Sequence, residues 1–351
     1  MEEREYRLGF STISGIGPAK FRKLLQEFGT AKAAWKAKKL DFSIENYLKE
    51  LKKRDVWFLT LEDEDYPQLL KQIKNPPFVL YGRGDKSLLN NQNTICVVGA
   101  RRTTQYGREV TKFLTAELVA SGLTIVSGLA LGVDAISHIA ALENNGKTIV
   151  VLGCGVDCCN PRENQSIYDD ILKSGNSPRG EAAGCIVSEF PLGMKPTQWT
   201  FPARNRIIAG LSQAVLVTEG AEDSGSLITA KFALSFGRRV FAVPGPIMSL
   251  MSKGPYALIQ KGAKLVTCAK DVLDELKISG ANPLTLALRW AKGDTEEENL
   301  VLKLLQNEPL HFDELVRRTK FDSSKLSGIL SLMEIKGLIM SQNNGNFSVI
   351  A

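Results

Sequence analysis

The residues best suited to hold an anion fall in one stretch, Phe201-Pro202-Ala203-Arg204-Asn205-Arg206-Ile207-Ile208-Ala209-Gly210-Leu211-Ser212. Pro202 suits the first position of a helix, where its missing N–H is no loss, and the helix reads on to Leu211. Arg204 and Arg206 then lie in its opening turns, against the positive end of the helix dipole. A nearby anion would account for that placement, and so would buried ion pairs. At about 100° per residue the two guanidinium groups stand about 200° apart and cannot aim at one point. Arg204 shares the face of Ile207 and Ile208, whereas Arg206 sits with Ala209 and Gly210, where something can approach closely.

Three other stretches have the residue types of phosphate nests. In Gly99-Ala100-Arg101-Arg102-Thr103-Thr104, Gly99 permits close backbone approach, a threonine can cap the next helix, and Arg101 can fork onto a phosphate. Ser127-Gly128-Leu129-Ala130-Leu131-Gly132-Val133-Asp134 sets two glycines before a helix containing His138. Asp223-Ser224-Gly225-Ser226-Leu227-Ile228-Thr229 opens a helix with Ser226 and Thr229 on one face, beside unpaired N–H groups. Lined up on one edge of a sheet, the three would make a row of anion-binding concavities.

Other chemistry is poorly represented. Gly153-Cys154-Gly155 lacks the third glycine of a dinucleotide fingerprint, and no phosphate loop of the Gly-x-x-x-x-Gly-Lys type is present. Six cysteines include a cluster at Cys154, Cys158 and Cys159, but without paired C-x-x-C spacing and with only His138 and His311 to complete a metal site. Small buried thiols are the expectation, with neither metal nor cofactor. His138 has no nucleophile partner in sequence and reads as structural; Asp134 and Asp157 read as capping or turn residues.

The elements that must position these groups follow from the apolar pattern. With 351 residues, 44% hydrophobic and 23% charged, the chain has material for two or three domains and a substantial core. Its net charge of +6 is compatible with a polyanion partner. No apolar run approaches about 20 residues, and Met1-Glu2-Glu3-Arg4-Glu5 has no signal-peptide layout; the chain is expected in the cytoplasm, away from membranes.

From residue 94 onward, short Val/Ile/Leu runs alternate with helix-length segments such as Val133–Glu143. Runs such as Thr94–Val98, Thr148–Leu152 and Ala214–Thr218 are uninterrupted, as expected of strands covered on both faces. The pattern predicts an α/β fold with a doubly wound, mostly parallel sheet, whose ligands bind at the carboxyl ends of strands. Before it, residues 1–60 read as a small helical domain of the SAM or helix–hairpin–helix kind, with a Gly15-Ile16-Gly17 turn that can expose N–H groups to phosphate. Residues 56–90 read as a bridge with two strands. The core is expected over 61–280, a linker over 281–298 and a C-terminal domain over 299–351. In that last segment three helices and a ribbon give a winged-helix layout, whose third helix is poor in base-reading side chains.

In this order the motifs resemble the DNA-processing protein A (DprA/Smf) family. They include Gly15-Ile16-Gly17-Pro18, Asp65-Tyr66-Pro67, Val98-Gly99-Ala100-Arg101, Ser127 to Asp134 with His138, Ser188-Glu189-Phe190-Pro191, Phe201 to Ser212, Ser224 to Thr229 and Val243-Pro244-Gly245. The resemblance implies an extended Rossmann-like core between a helical N-terminal domain and a winged helix. It implies a non-enzymatic role: binding and protecting incoming single-stranded DNA in natural transformation and loading the RecA recombinase onto it. DNA contacts would come from Gly99, Ala100, Arg101, Arg102, Gly128, Arg204, Asn205, Arg206, Ser224, Gly225, Ser226 and Thr229. Arg162 would supply the basic side chain the family carries beyond Asn160-Pro161. A homodimer is implied, through the region from Tyr256 to Leu265. The sequence departs from the family in Ala100, where a hydroxyl residue is usual, and in an extra segment from Ser174 to Gly184. The competing class is a Rossmann-like nucleotide-processing enzyme or nucleotide sensor, but Pro244-Gly245-Pro246 and Glu219 do not match the spacing of the nucleotide hydrolases.

Overall fold

The computed structural model describes residues 1–174, 184–278, 293–305, 308–342 and 345–349. They belong to two compact units, Met1–Ala281 and Asn282–Ala351. The extra segment after Ser174 and most of the expected linker lie outside the described residues.

The first unit opens with helices α1 (Glu3–Thr12), α2 (Pro18–Phe28), α3 (Ala31–Lys38) and α4 (Ile44–Lys53). Thr30 and Ser43 start α3 and α4 by accepting the N–H groups of Ala33 and Asn46. The helices share an aromatic core with the sheet: Phe10 and Phe21 lie 5.5 Å apart, and Phe21 stacks on Phe78 at 4.1 Å.

There follow β1 (Trp57–Thr60), α5 (Gln68–Lys71), β2 (Val79–Gly84), β3 (Thr94–Val98), α6 (Gln105–Ala120), β4 (Thr124–Ser127), α7 (Val133–Glu143) and β5 (Thr148–Val151). Then come α8 (Gln165–Ser174), β6 (Gly184–Ser188), α9 (Thr200–Gly210), β7 (Ala214–Val217), α10 (Gly225–Ser235), β8 (Arg239–Ala242), α11 (Lys253–Gln260), β9 (Lys264–Leu265) and α12 (Ala269–Leu276). The described strands form a sheet in the order β1-β2-β6-β5-β4-β3-β7-β8-β9. Strands β3 to β9 pair in parallel, while β1 with β2 and β2 with β6 pair antiparallel. The two strands read as a bridge extend the main sheet. Leu59 and Leu80 are buried on them, and burying that apolar face requires a place in the common core.

Alternation along the central strand shows how both faces are covered. Cys96 and Val98 point into one core layer, Ile95 and Val97 into the other. The chain runs outward from β3 through β4, β5 and β6, then returns to β3's other side with β7. The crevice between the ends of β3 and β7 is the switch point where such folds hold ligands.

The second unit contains α13 (Glu296–Leu305), β10 (Leu310–His311), α14 (Phe312–Thr319), α15 (Ser323–Ile335), β11 (Ile339–Ser341) and β12 (Asn346–Val349). Val301, Leu302, Leu315, Leu326, Leu330 and Met333 pack at its centre. With its antiparallel β10-β12-β11 sheet it is a winged helix. Its first helix begins inside the stretch expected as linker, because Thr295 accepts the Glu298 N–H and three glutamates favour the positive helix end.

Candidate nucleic-acid interface

The loops leaving β3 and β7 and the start of α9 enclose a cavity of about 570 Å³, lined by Gly99, Ala100, Arg101, Arg102, Asp134, Gln198, Phe201, Arg204, Asn205, Ser224, Gly225, Ser226 and Thr229 among others. Ten of the thirteen contacts expected from the sequence line this cavity. Gly128 lies directly beneath its Arg204 floor, and Arg162 and Arg206 stand outside it.

Arg204 is 4% exposed, and its Nη1 donates to the carbonyls of Gly128 at 2.5 Å and Val151 at 2.7 Å, the ends of β4 and β5. Burial pulls its pKa below the usual guanidinium value, against the opposing pull of Asp134. Burial in turn raises Asp134, although the Arg204 charge and the N–H groups of Gly128 and Ala130 oppose that rise. The pair therefore floors the cavity with a fixed, largely compensated charge. Helix α9 begins at Thr200 rather than Pro202, so the proline is its third residue. It is tolerated there because N–H groups of a first turn have no intrahelical partner.

Arg101 and Arg102 supply uncompensated positive charge to the site, and Arg101 is the one set against an aromatic ring. It is exposed, makes no ion pair with a described carboxylate, and its guanidinium lies 5.4 Å from the centre of the Phe201 ring. Opposite it, Ser224 caps α10 through the Ser226 N–H at 3.4 Å and shares a hydroxyl contact of 2.8 Å with Ser226. Gly225 is exposed, and its carbonyl accepts from Asn205 at 3.3 Å, which ties α9 to the start of α10. Cation, helix start and hydroxyls converge as an anion site requires. Phe201 was not among the sequence-predicted contacts. Its signal was its place one helical turn before Asn205, on the same face of α9.

Arg206 points the other way, as the 3.6-residue period requires. It pairs with Glu189, which burial raises and the guanidinium lowers, and it lines a different cavity. Of the two readings of this arginine, the ion pair is the one the structure contains. Arg162 is exposed in the short turn Arg162–Asn164, whose Asn164 braces the β4–α7 loop through the Leu129 and Ala130 carbonyls. Glu219 is 2% exposed and accepts the N–H and hydroxyl of Thr104, whose hydroxyl in turn caps α6 by accepting the Gly107 N–H. His138 is buried against Thr148 at 2.7 Å, and burial with the nearby Arg204 charge lowers its pKa to about 3. The Cys154 thiol donates to the Cys158 carbonyl, and no metal-binding cluster occurs among the described residues. Tyr256 is tied to the Gly245 carbonyl, and Leu265 is 44% exposed on the edge strand β9. No helix among the described residues is long and apolar enough to cross a membrane.

A family model described as DNA recombination-mediator protein A matches residues 57–277, and one described as DprA winged helix domain matches 287–345. The chain belongs to the DprA/Smf family. Protein Smf of Synechocystis is 35% identical over 97% of each chain. The DNA processing protein DprA of Bacillus subtilis is 44% identical over 62% of this chain and 70% of its own length. Among solved DprA structures, that from Streptococcus pneumoniae is 33% identical, with a TM-score of 0.66 over 77% of this chain and 97% of that one. The Helicobacter pylori protein, described for its single-stranded DNA binding mode, is 31% identical, with a TM-score of 0.53 over 63% and 95%.

Proposed function

We propose that this DprA/Smf protein binds single-stranded DNA in the switch-point cavity and acts as a non-enzymatic recombination mediator in the cytoplasm. It protects incoming DNA in natural transformation and passes it to the RecA recombinase. The observation that carries the reading is the convergence of the unpaired Arg101 guanidinium, the Ser224–Ser226 start of α10 and the Phe201 ring on one open cavity. Phosphates supply the affinity and the ring a stacking surface, so sequence preference is slight. Arg204 contributes from the floor as a fixed charge, while Arg162 and Arg206 are not needed for this path.

The protein acts as a homodimer in this reading. Among the described residues no strand pairs with the outer side of β9, which carries Leu265, and the loop after Gly245 exposes Ile247, Met248 and Leu250. An unpaired strand edge and exposed apolar side chains each favour association.

The competing nucleotide-processing reading would call on an acid or base at the same crevice. Glu219 is committed to the Thr104 N–H and hydroxyl, Asp134 to the Gly128 and Ala130 N–H groups, and His138 is sealed in the core. Labelled single-strand and duplex oligonucleotides titrated across salt concentrations test the proposal. Single strands should bind more tightly, with log affinity falling against log salt by about 0.7 for each phosphate neutralised. A flat salt response, or release of free base from nucleoside monophosphates, would overturn it.

A further inference from the structure

The first turns of α9 separate two cavities. Gln198, Phe201 and Asn205 face the first, whereas Trp199, Ala203 and Arg206 face a second of about 950 Å³. The far wall of the second is the α1–α2 turn, with Gly15 and Gly17, and the first turn of α2, with Lys20. Its floor near α9 is closed by the mutually compensating Glu189 and Arg206.

Trp199 stands at this boundary and is 60% exposed. It is the one exposed tryptophan among the described residues, in a residue type that usually buries most of its surface. The indole is not loose. It makes an edge-to-face contact with the buried Phe190, with ring centres 5.8 Å apart and planes at 80°. Such a contact fixes an aromatic surface in solvent and so lowers the entropy lost when a flat ligand settles on it. Across the cavity, Lys20 makes no ion pair with a described carboxylate, and α2 has no side-chain cap. An aromatic platform on one side and an uncompensated cation on the other match a base and its phosphate.

We propose that Trp199 is a stacking platform for a base of the bound strand, which continues from the first cavity over the start of α9 into the second, toward Lys20. The inference rests on the proposed single-strand binding. Continuity favours that occupant over a protein partner: Gln198 and Phe201 on the first cavity flank Trp199 on the second within one turn of chain. Every base has a flat face, so the platform adds affinity without sequence preference.

The test uses the full-length protein, fluorescently labelled oligo-dT long enough to reach both cavities, and the same strand built with abasic units. Trp199→Ala should weaken oligo-dT binding by about five- to a hundredfold, and Trp199→Phe should recover most of the loss. Wild type should lose at least that factor on the abasic strand, which also forfeits stacking on Phe201, and Trp199→Ala should lose nothing further there. Unchanged affinity in Trp199→Ala beside a weakened Arg101→Ala would overturn this inference and leave the single-strand reading intact. An equal Trp199→Ala loss on both strands would also overturn it, because the residue would then act on something other than a base. Failure of the wild type to bind any single strand would overturn both readings.

Discussion

Arg204 and Gly128 fit together so closely that a side-chain carbon on the glycine would lie 1.9 Å from the arginine Nη1. The same nitrogen donates to the Gly128 carbonyl at 2.5 Å. Glycine is required at this position by the approach of a buried guanidinium rather than by its backbone angles. A residue read as part of a phosphate nest is thus the seat of the group that floors the cavity.

Gly128→Ala should therefore act on the fold before it acts on any ligand. The methyl must displace a guanidinium that has no second place to go, and overpacking of this kind costs about 1–3 kcal/mol. Urea denaturation at neutral pH measures it. A variant as stable as wild type would show that Arg204 can move without loss.

Arg101→Ala should leave stability unchanged, because the side chain is exposed and makes no ion pair with a described carboxylate. It removes a charge-assisted contact of about 1.5–3 kcal/mol, so single-strand affinity should fall more than tenfold. Fluorescence anisotropy at constant salt reads the change. Retained affinity would take Arg101 out of the site.

Glu219→Ala should remove the carboxylate that receives both the N–H and the hydroxyl of Thr104. A hydrogen bond to a charged group contributes about 1.5–3 kcal/mol, so the urea midpoint should fall. An unshifted midpoint would free Glu219 for a role in chemistry.

Stability should fall as pH drops through the window set by His138. The folded chain holds the imidazole neutral with a pKa of about 3, while the unfolded chain takes up a proton near 6.5. Between those values the unfolded state binds more protons, so each pH unit removes up to about 1.4 kcal/mol. Wild type should lose about 2 kcal/mol between pH 6.5 and pH 5 beyond the loss in His138→Asn, measured by urea denaturation. Parallel profiles for the two proteins would rule the histidine out as the cause.

Leu265→Arg should place a charge on the β9 edge and separate the proposed homodimer. Sedimentation equilibrium should then give the mass of one chain where wild type gives two, with the thermal midpoint otherwise retained. A dimeric Leu265→Arg would move the interface elsewhere.

The parallel sheet was legible because its strands are buried on both faces and so appear as unbroken apolar runs. Thr94–Val98 and Val133–Glu143 match the expected elements at both ends. Helix α9 was misplaced by two residues, since proline is permitted anywhere in a first turn and marks no single position there. The cavity contacts from Gly99 to Arg102 and Ser224 to Thr229 were readable as loop chemistry at strand exits. The opposed directions of Arg204 and Arg206 followed from helical period alone. Their partners did not, because Glu189 reaches Arg206 across a loop and the Gly128 carbonyl reaches Arg204 from another strand. Such pairings depend on the tertiary arrangement and leave no local periodic trace.

Strand β1 is the outermost member of the sheet on its side, although it belongs to the stretch that begins with the four small helices. Cutting the chain at residue 61 would therefore do more than shed a helical appendage. It would strip one of the two backbone partners from β2 and bare Phe78 and Tyr81, leaving a sticky margin prone to cross-pairing between molecules. A shortened version made for biochemistry keeps its solubility only if the cut falls upstream of Val56, and even then the apolar surface the helices cover would need polar replacements.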